Sequence, residues 1–189
     1  MRHKALITII CLILGLTLSL PEASLATTEW MWCHGHSAKL EFPERTDWML
    51  YRGWGLDFHQ KQGFDNWVHF AVPTSARLDA LTVRARYLRI RFWATAESTY
   101  QWPVITDVHV YNGETRVHQF SNLNWRGTGS WQTKELDLGS LMSFDRGLGI
   151  SVRVRAEYII GKDEAEDQAE AMQERYRFMF AGAGARFEW

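Results

Sequence analysis

Cysteine is nearly missing from this chain: 189 residues hold two, Cys11 and Cys33. Cys11 lies inside an N-terminal apolar run that reads as a removable signal. Cys33 would then stand alone, which excludes an internal disulfide and leaves a buried thiol, a bridge to another chain or a ligand. A dominant sign of charge is missing too. With 21 basic and 22 acidic side chains the net charge is -1, which gives no bulk argument for nucleic acid. No second long apolar run follows the first, so no transmembrane span is expected in the mature chain. Internal repeats, low-complexity linkers, a nucleophile elbow and a matched pair of carboxylates are likewise lacking, so no enzyme class is indicated.

What is present begins with the signal itself. Arg2, His3 and Lys4 precede an apolar stretch from Ala5 to Leu20, and Pro21 with Glu22 ends it. Ser24-Leu25-Ala26 then offers small residues where a signal peptidase reads, so residues 1–26 are expected to be cleaved. At 16 residues the stretch is short for a membrane span, which needs about 20. The expected location is exported, periplasmic or extracellular. Residues 27–189 would form a single domain, of a size that buries a core.

Strand signals fill that part. Phe64 to Val72, Val104 to Tyr111, Thr115 to Phe120 and Ile150 to Tyr158 alternate in period two. Leu81 to Thr95 is a long β-like run whose alternation slips near Tyr87-Leu88. A β-bulge there would return Arg84, Arg86, Arg89 and Arg91 to one face. Asn112-Gly113 between alternating runs predicts a two-residue hairpin turn with His109 opposite Arg116 and Asp107 opposite His118. Asp47 to Gly63 and Leu123 to Ser130 read as irregular polar loops. Gly161 to Glu174, rich in Asp and Glu, reads as an acidic loop or short helix before the last strand, Tyr176 to Phe187. The expected fold is all-β: an antiparallel, jelly-roll-like β-sandwich of eight to nine strands. A small outer-membrane barrel is the rival, raised by the aromatic C-terminal strand ending at Trp189.

Trp32-Cys33-His34-Gly35, Trp67-Val68-His69-Phe70 leading to Pro73, and the hairpin Val108-His109-Val110-Tyr111-Asn112-Gly113 resemble a family of uncharacterised bacterial exported β-sandwich proteins. The resemblance implies the fold and export and brings no activity with it.

Four groups of residues could carry chemistry. Cys33, His34 and His36 combine sulfur and imidazole and could hold zinc or copper if Gly35 turns the chain; no other cofactor is suggested. The alternative is a structural role. Asp107, His109, Arg116 and His118 fall on one hairpin face, as an acid/base pair or as solvated cross-strand charges. Arginine supplies 15 of the 19 basic residues after the signal. The pairs Arg84/Arg86, Arg89/Arg91, Arg153/Arg155 and Arg175/Arg177 would build one basic face if their strands are neighbours, unless acidic residues fold back on them. Guanidinium forks suit carboxylate, sulfate and phosphate. Finally, all ten tryptophans follow the signal. Trp54, Trp102, Trp125 and Trp131 lie near loop residues and are expected to be exposed, while Trp30, Trp32, Trp67 and Trp93 are expected in the core.

The function expected is a non-catalytic exported protein that binds a glycan or anionic polymer through Trp102, Trp125, Trp131 and Trp54, with Arg84, Arg86, Arg153 and Arg155 holding charge. The alternatives are a structural envelope protein that self-assembles, and a metal-binding protein or enzyme built on Cys33, His34 and His36. The partner expected is a polysaccharide or another envelope component.

Overall fold

The computed structural model describes residues 26–75, 77–78, 81–96, 101–158 and 176–189. The signal up to Leu25 with Cys11, and the acidic segment 161–174 with Arg175, lie outside them. The chain runs through β1 (Thr28–His34), a 3-10 turn (Gly35–Ser37), β2 (Lys39–Leu40), a second 3-10 turn (Pro43–Arg45), β3 (Thr46–Arg52), β4 (Gly55–Gln60) and β5 (Asp65–Val72). It continues through β6 (Arg77–Leu78), β7 (Leu81–Thr82), β8 (Arg84–Ala96), β9 (Gln101–Asn112), β10 (Thr115–Phe120), β11 (Trp125–Arg126), β12 (Gln132–Ser143), β13 (Leu148–Tyr158) and β14 (Tyr176–Glu188).

The strands form two antiparallel six-stranded sheets packed as a sandwich, as the alternation predicts. The first sheet has the order β12-β8-β14-β4-β3. Its β14 is shared along one edge: Tyr176 to Phe180 pair with β4, and Gly182 to Glu188 pair with β1. The second sheet has the order β10-β9-β13-β5-β2, with β11 beside the other half of β9. Consecutive strands cross between sheets at β1/β2, β2/β3, β4/β5, β8/β9, β11/β12, β12/β13 and β13/β14, the connectivity of a jelly-roll-like sandwich. β6 and β7 form a small separate ladder.

Period-two side chains from both inner faces meet in one core. Phe180 on β14 sits among Phe58, Phe70 and Phe92, with ring centroids 6.4, 5.8 and 6.2 Å away. Leu88, Ile90, Val108, Val110, Ile150 and Val152 are fully buried around them. Each such side chain contributes roughly 1.5–3 kcal/mol by burial. Gly35 and Gly55 let two chain segments pass directly against the Phe180 carbonyl, where a Cβ would collide with it. The described ends are tied together: the Thr27 N–H donates to the Trp189 carbonyl at 3.0 Å, and Trp189 N–H returns a bond at 3.1 Å.

The bulge on β8 is where the slip in alternation puts it. Tyr87 faces Arg186 and Ala85 faces Phe187, so Arg86 is the extra residue. Ala85, Leu88, Ile90 and Phe92 then point inward, and Arg84, Arg86, Arg89 and Arg91 share the outer face.

Two expectations need correction. Asp47 to Gly63 is not an irregular loop; most of it is the β3/β4 hairpin, turning at Gly53-Trp54. Its polar residues disguised it. Asp57 and Gln60 are fully buried, which is sustainable only because Arg52 and Arg177 hold the Asp57 carboxylate and Asn66 Nδ2 donates to Gln60 Oε1 at 3.2 Å. The β9/β10 hairpin is also displaced. Asn112 pairs with Thr115 around Gly113-Glu114, and a bulge at Val117 puts Arg116 opposite Tyr111 and Gln119 opposite His109. Gly113 has φ 59° while Asn112 stays out of the left-handed region, so glycine alone carries the turn. Val108 and Val110 do face the core, and Val117 packs against it half-buried.

Candidate functional site

The outer face of the first sheet is built from side chains of opposite parity to its phenylalanine core. Cross-strand register sets its rows. Asp137, Tyr87, Arg186 and Trp30 align across β12, β8, β14 and β1, and Glu135, Arg89, Gly184 and Trp32 form the next row. Thr133, Arg91, Gly182 and His34 follow. Farther along, Trp93, Met179, Asp57 and Leu50 align across β8, β14, β4 and β3, and Thr95, Arg177, His59 and Trp48 form the next row.

Aromatic rings and guanidinium groups interleave over these rows. Trp54, in the β3/β4 turn, reaches Trp131, the residue just before β12, edge to face at 5.7 Å and 85°. The Arg91 guanidinium lies 5.5 Å from the Trp131 ring, and that of Arg52 lies 6.0 Å from Trp54. At the other end Trp30 and Trp32 approach to 6.0 Å, and Arg89 sits 4.1 Å over Trp30. The Trp32 ring rests on Gly184, whose missing side chain makes room for it. Arg186 over Tyr87 (4.2 Å) and Arg177 over Trp93 (5.6 Å) complete the pattern. These contacts hold the rings still while leaving Trp32, Trp54 and Trp131 at 40, 39 and 39% exposure.

Most of the positive charge on this face is spent internally. Arg177 forks onto Asp57 at 2.9 and 2.7 Å, and Arg52 Nε donates to the same carboxylate at 2.8 Å. Burial alone would raise the Asp57 carboxyl. The hydrogen bonds and charges of Arg177 and Arg52 outweigh it and hold the group below the usual carboxylate range. Arg86 forks onto Asp137 at 2.8 Å twice, and with the Gly139 N–H brings that carboxyl down to about 2. Arg89 pairs with Glu135 at 2.8 Å.

On the outer face of the second sheet a different network closes. Asp65 accepts from Arg153 and, at 2.7 Å, from Arg155. Arg153 also reaches Asp107 at 3.4 Å. Asp65 is driven up by burial and down, to a greater net extent, by these two arginines. His69 lies between Ser151 (Nδ1 to Oγ 2.8 Å) and Glu41 (Nε2 to Oε2 3.3 Å). Ser151 is buried, and these three side chains form a cross-strand hydrogen-bond network. Trp67 lies 4.5 Å from His109. Burial first, then the positive charges of Arg116 and Arg153, lowers the His109 pKa against the pull of Asp107.

The expected site residues therefore separate. Trp54 and Trp131 come together. Trp125 does not join them: it stacks on Phe92 at 6.3 Å and 10° and packs against the core, because β11 folds it under the sheet edge. Trp102 pairs in register with Glu157, and its side chain lies outside the described residues. Arg84 and Arg86 share one outer face, whereas Arg153 and Arg155 lie on the opposite one. The arginine pairs thus form no single basic face, because β13 belongs to the other sheet. Trp30, Trp32, Trp67 and Trp93, expected in the core, lie on outer faces instead. The missed signal was parity: Trp93 alternates in phase with Arg89 and Arg91, and Trp30 and Trp32 alternate against Met31 and Cys33.

Cys33, His34 and His36 are not gathered around a common point. The Cys33 thiol is buried, donates to the His34 carbonyl at 3.7 Å, and is pushed up by burial. His34 Nδ1 accepts from the His36 N–H at 3.2 Å, and His36 Nδ1 lies 3.0 Å from the Arg52 carbonyl oxygen. Among the described residues no three His, Cys, Asp or Glu side chains are grouped to hold a metal ion. No helix among them is long and apolar enough to cross a membrane.

No curated protein matches the chain. Solved structures that resemble it include a mutant of a family 29 carbohydrate-binding module, at 14% identity and TM-score 0.40, covering 86% of each chain. Another such mutant, complexed with mannohexaose, gives 13% and 0.41 over 85% of this chain and 92% of that one. A family 29 module from Piromyces equi gives 11% and 0.37 over 85% and 90%. A family model matches residues 26–178, and with that span the chain belongs to DUF6623, a family of unknown function.

Proposed function

We propose that this protein is an exported, non-catalytic carbohydrate-binding protein whose ligand lies along the outer face of the first sheet. The observation that carries the reading is the placement of Trp54, Trp131 and Trp32 on one sheet face, each about two-fifths exposed and each braced by a neighbouring ring, guanidinium or backbone. An indole offers a flat apolar surface with a polar edge, which suits the C–H faces and hydroxyls of a pyranose. Rings fixed before binding lose little conformational entropy when a sugar stacks on them.

Affinity electrophoresis of the purified protein in gels holding neutral and acidic polysaccharides tests this. Retardation by at least one polymer, reduced in Trp131→Ala and Trp54→Ala, is expected. Mobility unchanged in every gel would sink the reading, and a size that grows with concentration in light scattering would move the same face to self-assembly. Export is tested separately by N-terminal sequencing of the protein recovered outside the cytoplasm, with Thr27 as the expected first residue.

A further inference from the structure

We infer that the carbohydrate bound on this face is acidic, and that Arg91 receives its carboxylate; this rests on the binding reading above. Seven arginines lie on the outer face of the first sheet: Arg52, Arg84, Arg86, Arg89, Arg91, Arg177 and Arg186. Five have a carboxylate within 4.0 Å: Arg52 and Arg177 share Asp57, Arg86 has Asp137, Arg89 has Glu135, and Arg186 reaches Glu188 at 3.9 Å. Among the described residues Arg84 and Arg91 have none.

These two differ in surroundings. Arg84 lies at the end of β8, opposite Ser143 and Glu188, so an acidic residue is its register neighbour. Arg91 is opposite Thr133 on one side and Gly182 on the other, so both neighbours are uncharged. Its Nη1 donates to Thr133 Oγ1 at 3.2 Å, and its guanidinium lies 5.5 Å from the exposed Trp131 ring. A guanidinium has five N–H donors, and only one of these has a hydrogen-bond partner among the described residues. The planar fork left open matches a carboxylate through two parallel hydrogen bonds. A uronic-acid unit stacked on Trp131 would bring its ring to the indole and its carboxylate to Arg91 together. Because Arg91 is exposed, the pairing needs no desolvation of a buried charge.

The test compares polygalacturonate, neutral galactan and sulfated galactan in affinity gels, at low and high salt. Wild type is expected to be retarded more by polygalacturonate than by galactan. Arg91→Gln should lower polygalacturonate affinity by about tenfold, the scale of a lost charge-assisted hydrogen bond, and leave galactan mobility unchanged. Arg91→Lys should retain a salt-sensitive part of the retardation, and Arg84→Gln should behave as wild type. Thermal melts identify any variant that fails to fold. Retardation by sulfated galactan without polygalacturonate overturns the carboxylate assignment. Equal retardation by acidic and neutral polymers, or no change in Arg91→Gln, overturns the inference while the stacking reading stands. No retardation by any polymer removes both.

Discussion

On the first sheet Trp32, Trp54 and Trp131 keep about two-fifths of their surface open, and guanidinium groups brace ring after ring. On the second sheet Trp67 is half-buried against His109 and within 5.9 Å of Arg153, while Arg153 and Arg155 converge on Asp65. Both faces draw on tryptophan, arginine and aspartate. The difference lies in where the carboxylates stand. Asp65 and Asp107 occupy rows beside Arg153 and Arg155, so charge and ring close on each other. On the first sheet Asp57 is sunk below Arg52 and Arg177, Glu135 takes Arg89 from the β12 side, and Gly182 and Gly184 put no side chain on the β14 side of Arg91 and Arg89, so the rings stay open to a ligand. Residue type alone does not make a surface available; the pairing of each side chain with its row neighbours does.

The largest expected effect removes what the two faces share. Phe180→Ala should cost about 3–5 kcal/mol, because three other phenylalanines lean on that ring, and chemical denaturation should show the loss. Asp57→Asn should be next, on the order of 2 kcal/mol, since it leaves two half-exposed guanidinium groups without their anion. It should also loosen Trp48 and Trp54 through Arg52, so a fall in stability without any change in tryptophan fluorescence would contradict the link. Trp131→Ala should weaken glycan binding by about 2 kcal/mol and barely move the melting temperature. Trp67→Ala on the second sheet should leave binding as it was; if the two variants lose affinity equally, the comparison between the faces fails.

Acidity should single out His109 on the second sheet, because the acid loss below about pH 4 is shared by Asp65 there and by Asp57 and Asp137 on the first. Asp57 and Asp137 titrate below the usual carboxylate value when folded, so their stabilisation is complete above about pH 4. It fades as pH falls through the folded values, for Asp137 down to about 2. His109 has a lowered folded pKa, so the unfolded chain takes up its proton first and stability declines as pH drops below about 6.5. Any loss of stability between pH 7 and 5 that His109→Gln abolishes therefore belongs to the second sheet. The same loss persisting in the variant would assign it elsewhere.

Much of the sandwich was legible in the sequence because burial on one face of a strand writes period two into the residues. Val108, Val110, Ile150 and Val152 are examples, and the arginine slip on β8 even located a bulge. The β3/β4 hairpin was not legible, because Asp57 and Gln60 are buried polar groups whose partners, Arg177 and Asn66, are remote in the chain or on the other sheet. The family likeness carried by Trp32 to Gly35, Trp67 to Phe70 and the Val108 to Gly113 hairpin pointed to an uncharacterised family, and the chain does belong to one. For the site, the tryptophans beside loops were expected outside and those on strands inside. That sorting failed for Trp125, Trp30, Trp32, Trp67 and Trp93, because a strand exposes every second residue and a short loop can tuck under a sheet edge.

By itself the sequence determined the all-β class, the inner parity of most strands and the pairing of Arg with Arg along a strand, all local consequences of the pleat. Only the tertiary structure decided which strands lie side by side. That choice put Arg153 and Arg155 opposite to Arg84 and Arg86, brought Trp54 across to Trp131, and left Arg91 between uncharged neighbours. Register between distant strands is fixed by how two whole sheets fill a common core, and no single segment carries that information.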